Sequence, residues 1–386
     1  MKRISSAFPG VFALLVVIGP AAAQESSRVP QYDWLALHLP KYRELAGKQW
    51  PGPLPAVQKL SPGDPYPGVT AMASILSDLG DLPAGVRLPD GTYGGALVDA
   101  MERFQERHGL TPDGIVGPGT FRALNVPYAS RLAEVEHALA WLATIPHPAG
   151  DVVVVNIPAF ELLAWKAEDH GKRSTFAMRV VVGSAAHSAT PVLGGTISYL
   201  VFSPYWYVPR SIVLKEMLPA YAKDAAYFQK HDLEFAASND DAAPAVPVTA
   251  QSVARLRAGE LGVRQKPGSR NSLGRVKFIF PNSESVFLHD TPARSLFARD
   301  RRDFSHGCVR VEDPQTLAEF LLRAAPGWDR PAIEKAMAAG RPQVVPVKPA
   351  VPVWLLYATA IASFDGRIWF FEDVYGRREP AGGPER

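Results

Sequence analysis

Apolar positions recur at helical spacing in the first third of the chain and at strand spacing beyond it. Val69, Met72, Ile75, Leu76 and Leu79 share one face of a helix that stops at Gly80. Leu97, Ala100, Met101 and Phe104 repeat the pattern over 96–108, and Gly109 ends it. Thr111-Pro112-Asp113-Gly114 is a turn by composition, and a third short helix occupies 119–124. Upstream, residues 24–67 are proline-rich with one helical stretch at 32–45; downstream, 131–142 reads as a helical connector. From Asp151 the texture changes. β-branched and aromatic runs bounded by Gly, Pro or Asn predict strands at 151–157, 176–183, 196–202, 275–280 and 285–289, and two late ones at 353–362 and 367–371. Between them, 212–268 is mostly helical in pattern (215–228 and 250–258) around a polar, alanine-rich loop at 238–245. An insert of that length is either a lid over a site or a surface elaboration. Helices return at 314–324 and 332–339.

The three short helices carry a further signal. Phe104-Gln105, His108-Gly109-Leu110, Asp113-Gly114, Gly117 and Thr120, closing on Leu124-Asn125, resemble the peptidoglycan-binding repeat domain of cell-wall enzymes. Singly these glycines serve turns; the whole string is what carries the resemblance.

Composition narrows the class. A chain of 386 residues is long enough for two or three domains, and 47% hydrophobic with 20% charged residues is ordinary for a globular protein. A formal net charge of +3 gives no case for nucleic acid as a partner. The 36 prolines favour strands, turns and loops over a helical bundle. Lys2 and Arg3, an apolar run at 11–18 and Ala21-Ala22-Ala23 have the pattern of a cleaved export signal. That run is too short to span a bilayer, so no stable membrane insertion is expected after cleavage. The expected location is outside the cytoplasm, in the periplasm and associated with the cell wall. There is a single cysteine, Cys308, so no internal disulfide is possible. A lone thiol in an exported protein is either an inert buried group or one kept for its chemistry.

The neighbours of Cys308 favour chemistry. The segment FLHDTPARSLFARDRRDFSHGCVRV, residues 287–311, places His289 at a strand end and Cys308 beyond a loop able to fold back on it. A thiol needs a base or a positive environment to react as thiolate near neutral pH, and a histidine so placed supplies the base. Ser305-His306-Gly307 lets the backbone turn sharply, aiming sulfur and N–H groups at one point, as oxyanion stabilisation requires. Zinc would need three or four ligands, and His306 with Cys308 offers two, so neither a metal nor another cofactor is expected. Arg294, Arg299, Arg301, Arg302 and Arg310 are either anion partners or a solvated loop face.

This segment resembles the signature of the L,D-transpeptidase family, a histidine followed across a loop by a Ser/Thr-His-Gly-Cys box. The likeness extends to Asn156-Ile157-Pro158 with Phe160, to Tyr205-Trp206-Tyr207-Val208-Pro209, to 265–274, to the HDTP run at 289–292 and to 353–375. It points to the larger members, which join a peptidoglycan-binding domain to a catalytic domain with a capping insert. The resemblance implies Cys308 as nucleophile, His289 as base and later acid, and the Asp290 carbonyl as the group that orients the imidazole. It implies that His306 and Gly307 shape the oxyanion site with the Cys308 N–H as donor. Arg310, Ser305, Tyr205 and Trp206 are the implied substrate contacts. Ser272 and Tyr207 stand where the family commonly has Pro and Asn. The expected fold is α+β: a small three-helix peptidoglycan-binding domain (68–126), then a mostly β catalytic domain (151–377) with a helical capping insert (212–268). A signal peptide (1–23), an N-terminal segment (24–67), a connector (127–150) and a disordered tail (378–386) complete the expected organisation. The implied reaction is acyl transfer between peptidoglycan stem peptides, giving a 3→3 cross-link. Hydrolysis at the same site, attachment of a protein to the wall, and a wall-binding protein without catalysis are the alternatives.

Overall fold

The computed structural model describes residues 29–377 apart from 56, 88, 89, 147, 148, 187 and 365. The expected signal peptide and C-terminal tail lie outside the described residues.

Helices dominate the first part: α1 (Pro30–Ala36), α2 (Leu39–Ala46), α3 (Val69–Leu79), α4 (Ala96–Glu106), α5 (Pro118–Leu124) and α6 (Tyr128–Leu142). The α3 apolar face is buried as its spacing predicts, and Gly80 at φ +95° closes the helix in the left-handed conformation that favours glycine. The stretch expected as one helix over 32–45 is two, because the chain breaks at Leu37-His38 and restarts with Pro40 in the first turn of α2. The core here is larger than three short helices would give. It joins α1–α6 and also takes in Ala360, Ala362, Ile368 and Phe370 from the far end of the chain. The segment read as a connector is therefore a packed helix, α6, which buries Val135, Ala138, Leu139 and Leu142.

The second part is strand-rich: β1 (Val152–Asn156), β2 (Glu161–Trp165), β3 (Phe176–Gly183) and β4 (Leu193–Phe202). The insert follows, with β5 (Trp206–Tyr207), α7 (Arg210–Ile212), a π-helical turn at Val213–Met217, α8 (Leu218–Lys223), α9 (Tyr227–Lys230), β6 (Leu233–Ala236), α10 (Ala250–Ala258) and β7 (Gly262–Gln265). Then come β8 (Val276–Ile279), β9 (Leu288–His289), β10 (Asp303–Ser305), β11 (Val309–Val311), α11 (Pro314–Leu322), α12 (Arg330–Met337), β12 (Gln343–Leu356), β13 (Ala360–Ala362) and β14 (Ile368–Phe370). The run β3-β11-β9-β8-β4-β12-β1-β2 closes on itself through β2–β3 pairing, a barrel-like sheet with β10 added beside β3. Its interior and the helices α11 and α12 form a second core.

The insert differs from the helical expectation. Its chain folds a three-stranded sheet, β5-β7-β6, and closes a core of its own around Phe228, Phe235, Val253 and Leu256. Strands this short carry too little alternation to be read from sequence. Thr249 begins α10 with a capping box, its hydroxyl accepting from the Ser252 N–H while the Ser252 hydroxyl accepts in return.

Candidate active site

Register assembles the site. β9 lies between β8 and β11, pairing His289 with Lys277 on one side and with Arg310 on the other. Cys308 is the residue before β11, and the Val309 N–H bonds the Phe287 carbonyl at 3.1 Å. Side chains alternate along strands, so Lys277, Phe287, His289, Cys308 and Arg310 face the same side of the sheet. They line one cavity of about 630 Å³. The insert supplies the opposite wall with Trp206, Tyr207, Glu216, Met217 and Tyr227. Ser272 and Tyr207, where the sequence departs from the family pattern, both line it.

His289 is buried, with Nδ1 2.5 Å from the Asp290 carbonyl oxygen. That carbonyl can only accept, so Nδ1 carries the proton and Nε2 keeps its lone pair. Burial is the main cause that pushes the imidazole down to about 3, assisted by the charges of Arg310 and Lys277 and opposed by the Asp290 contact. The ring is a neutral base. The Asp290 carboxylate is turned away from it, accepting from the Thr291 N–H at 2.7 Å and the Arg275 N–H at 2.8 Å.

Cys308 is half-buried, its thiol 3.9 Å from the Ser285 carbonyl oxygen. Burial pushes the thiol up, against smaller opposing contributions from the Phe287 N–H, Arg310 and Lys277. Desolvation thus outweighs the nearby cations, and thiol and imidazole are both neutral. Alkylation of Cys308 by iodoacetamide should therefore climb with pH through a midpoint above the ordinary thiol value of about 8.5. A plateau already reached at neutral pH would contradict this electrostatic balance.

The box before the thiol is an internally bonded turn. The Ser305 hydroxyl donates to the Cys308 carbonyl at 2.5 Å and accepts from the Gly307 N–H at 3.2 Å. Gly307 sits at φ +114°, and its carbonyl accepts from the Thr190 hydroxyl at 2.8 Å. Ser305 is buried and internally bonded, and it shapes the loop at the wall of the cavity it lines. The Gly307 N–H is likewise committed, whereas the Cys308 N–H makes no hydrogen bond among the described residues and is left for an oxyanion.

His306 also lines the cavity, its ring reaching the insert with Nε2 3.0 Å from Glu216 Oε1. The Tyr205 ring lies under the Arg264 guanidinium, 4.4 Å from it, and is not among the cavity-lining residues, whereas Trp206 is. Arg301 pairs with Asp303 at 2.7 Å, and Arg302 bonds the carbonyls of Phe160, Val180 and Arg299. Of the arginines in this segment only Arg310 lines the cavity. Lys277, on the same face, was missed: within a hydrophobic strand a lone lysine gives no signal until the register is known. No group of three or more His, Cys, Asp or Glu among the described residues could hold a metal ion.

A family profile described as the L,D-transpeptidase catalytic domain matches residues 150–344, and one described as "Putative peptidoglycan binding domain" matches 65–124. The chain belongs to the L,D-transpeptidase family. It is 32% identical over 224 residues to a Haemophilus influenzae protein named "Putative L,D-transpeptidase". That match covers 58% of this chain, and the chain spans 44% of the relative's length. Among solved structures it is similar to an L,D-transpeptidase from Xylanimonas cellulosilytica (18% identity, 79% of this chain and 100% of that one, TM-score 0.24). Another, from Stackebrandtia nassauensis, has 14% identity, covers 79% of this chain and 97% of that one, and has a TM-score of 0.28. No helix among the described residues is long and apolar enough to cross a membrane.

Proposed function

We propose that this chain is an exported, periplasmic L,D-transpeptidase that forms 3→3 cross-links in peptidoglycan through a thioester on Cys308. The observation that carries the reading is the register that sets His289 on β9 beside β11, the strand that Cys308 leads into, with both side chains lining one cavity. In the reaction, Cys308 Sγ attacks the carbonyl joining the diamino acid at stem position three to its terminal D-Ala. The thiol proton passes to Nε2 of His289 as the C–S bond forms, and the oxyanion meets the Cys308 N–H. His289 returns the proton to the leaving D-Ala amine as the C–N bond breaks. The side-chain amine of a second stem then attacks the thioester, loses its proton to His289, and expels the sulfur, which recovers that proton. The helical module holds the wall polymer while the cavity receives the stems.

Incubating the purified protein with tetrapeptide-stem fragments and weighing the products tests this. Cross-linked dimers formed with loss of one D-Ala are expected, along with a carbapenem adduct located at Cys308. Tripeptides alone would mean that water replaces the amine, making the protein an L,D-carboxypeptidase. Attachment to an added protein amine would indicate protein-to-wall linkage. If no product and no adduct formed, the chain would be a wall-binding protein without catalysis.

A further inference from the structure

The row Lys277–His289–Arg310 crosses three adjacent strands and sets a cation on each side of the base. Resting on the reading of Cys308 and His289 given above, we propose that Lys277 and Arg310 together form an anion subsite for the terminal carboxylate of the donor stem, and that filling it switches on His289 as a base.

Neither cation is ion-paired among the described residues, although the Asp241 carboxylate of the insert, which accepts from the Tyr207 hydroxyl, acts favourably on Lys277 through space. Among the described residues the Lys277 and Arg310 side chains have no ion-pair or hydrogen-bond partner, and Arg310 Nε is buried without an acceptor. The Lys277 ammonium lies 5.9 Å from the Phe287 ring centroid, and burial disfavours its charge. Leaving two cations half-buried and unpaired is costly, whereas a carboxylate between them makes charge-assisted hydrogen bonds. The substrate offers one in the right place: the leaving D-Ala carries its carboxylate one residue beyond the attacked carbonyl. On the protein, Arg310 stands two residues beyond Cys308 along the same face.

The same two charges act on His289. Facing the ring are Lys277 from β8, Arg310 and Cys308 from β11, and the Asp290 carbonyl from its own strand. The Asp290 carboxylate is held by the Arg275 and Thr291 N–H groups, and Glu216 of the insert faces His306. A bound carboxylate neutralises the cations, so the imidazole becomes more basic only when a stem with a free terminal carboxyl is present. His289 is then a weak base in the empty enzyme and a better one in the complex.

Acylation kinetics with a tetrapeptide stem and with the same stem amidated at its terminus test the proposal. Amidation should cost the wild type about 10–100-fold in kcat/KM, as expected for one charged hydrogen-bonded contact. Lys277→Met should cost as much on the acid stem and nothing further on the amide, and Lys277→Arg should restore most of it. With the acid stem, the acid limb of kcat should lie at higher pH than that of kcat/KM, because the first reports the complex and the second the free enzyme. With the amide the two limbs should coincide. Equal slowing of both stems by Lys277→Met, or coincident limbs with the acid stem, overturns the subsite. Binding of both stems to Cys308→Ala, followed by calorimetry, separates this from the parent reading. A carboxylate preference that Lys277→Met removes supports the subsite even if no thioester ever forms, and no preference there overturns it.

Discussion

Replacing His289 with glutamine should slow thioester formation on a tetrapeptide stem by about 10³-fold, within the range of about 10²–10⁴ typical for loss of a positioned base. Glutamine keeps a polar side chain of similar reach, whose amide can still donate to the Asp290 carbonyl, but it cannot take a proton. The effect is large because the thiol starts neutral: burial holds it protonated, so attack needs an acceptor for the proton at the moment the C–S bond forms. Without that acceptor only the small thiolate fraction reacts. The variant's rate should then rise tenfold per pH unit across the neutral range, while the wild type stays nearly flat there because its imidazole is unprotonated down to about 3 when the site is empty. Time courses of the intact acyl-enzyme mass at several pH values give both numbers. A glutamine variant with the wild-type rate and pH profile would remove His289 from the chemistry.

How much of this was legible in the chain depended on where the information was stored. The helix Val69–Leu79 and the helix Ala250–Ala258 have the bounds that their apolar spacing and end residues predict. The strand Gln343–Leu356 lost its first half to the prolines at 346, 349 and 352, which argue against an interior strand. In the fold a register shift between Pro346 and Val351 lets the strand keep its place beside Leu193–Phe202. The pair of Cys308 and His289 was readable because a single thiol beside a Gly-containing turn is rare and chemically pointed. Lys277 was not, since its meaning comes from pairing with His289, a contact that only tertiary register creates. The same applies to Glu216, which reaches His306 from the insert, and to Tyr205, whose ring is held by Arg264 through packing that no local pattern reveals. The merger of the helical core with the hairpin Ala360–Phe370 likewise joins residues from opposite ends of the chain.

That merger underlies the largest stability effect expected, from Arg131→Met. Arg131 Nη1 lies 3.0 Å from Glu134 Oε2, Nη2 donates to the Ala123 carbonyl at 2.7 Å, and the guanidinium stands 4.6 Å from the Phe370 ring centroid. The two charged side chains are 3% and 0% exposed. Methionine keeps most of the volume, so the loss is chiefly electrostatic: the Glu134 carboxylate stays buried without its cation, at a cost of about 3–5 kcal/mol. Removing the carboxylate as well separates this from lost packing. Adding Glu134→Leu should recover most of the loss, since replacing a whole buried pair by apolar groups is far less costly than breaking it. Denaturant midpoints of the wild type and both variants measure it. Because Phe370 belongs to the C-terminal hairpin, the helical module and the strand-rich part should lose stability together, in one transition. A deficit that Glu134→Leu fails to relieve would place the effect in packing against Phe370 instead of in the buried charge.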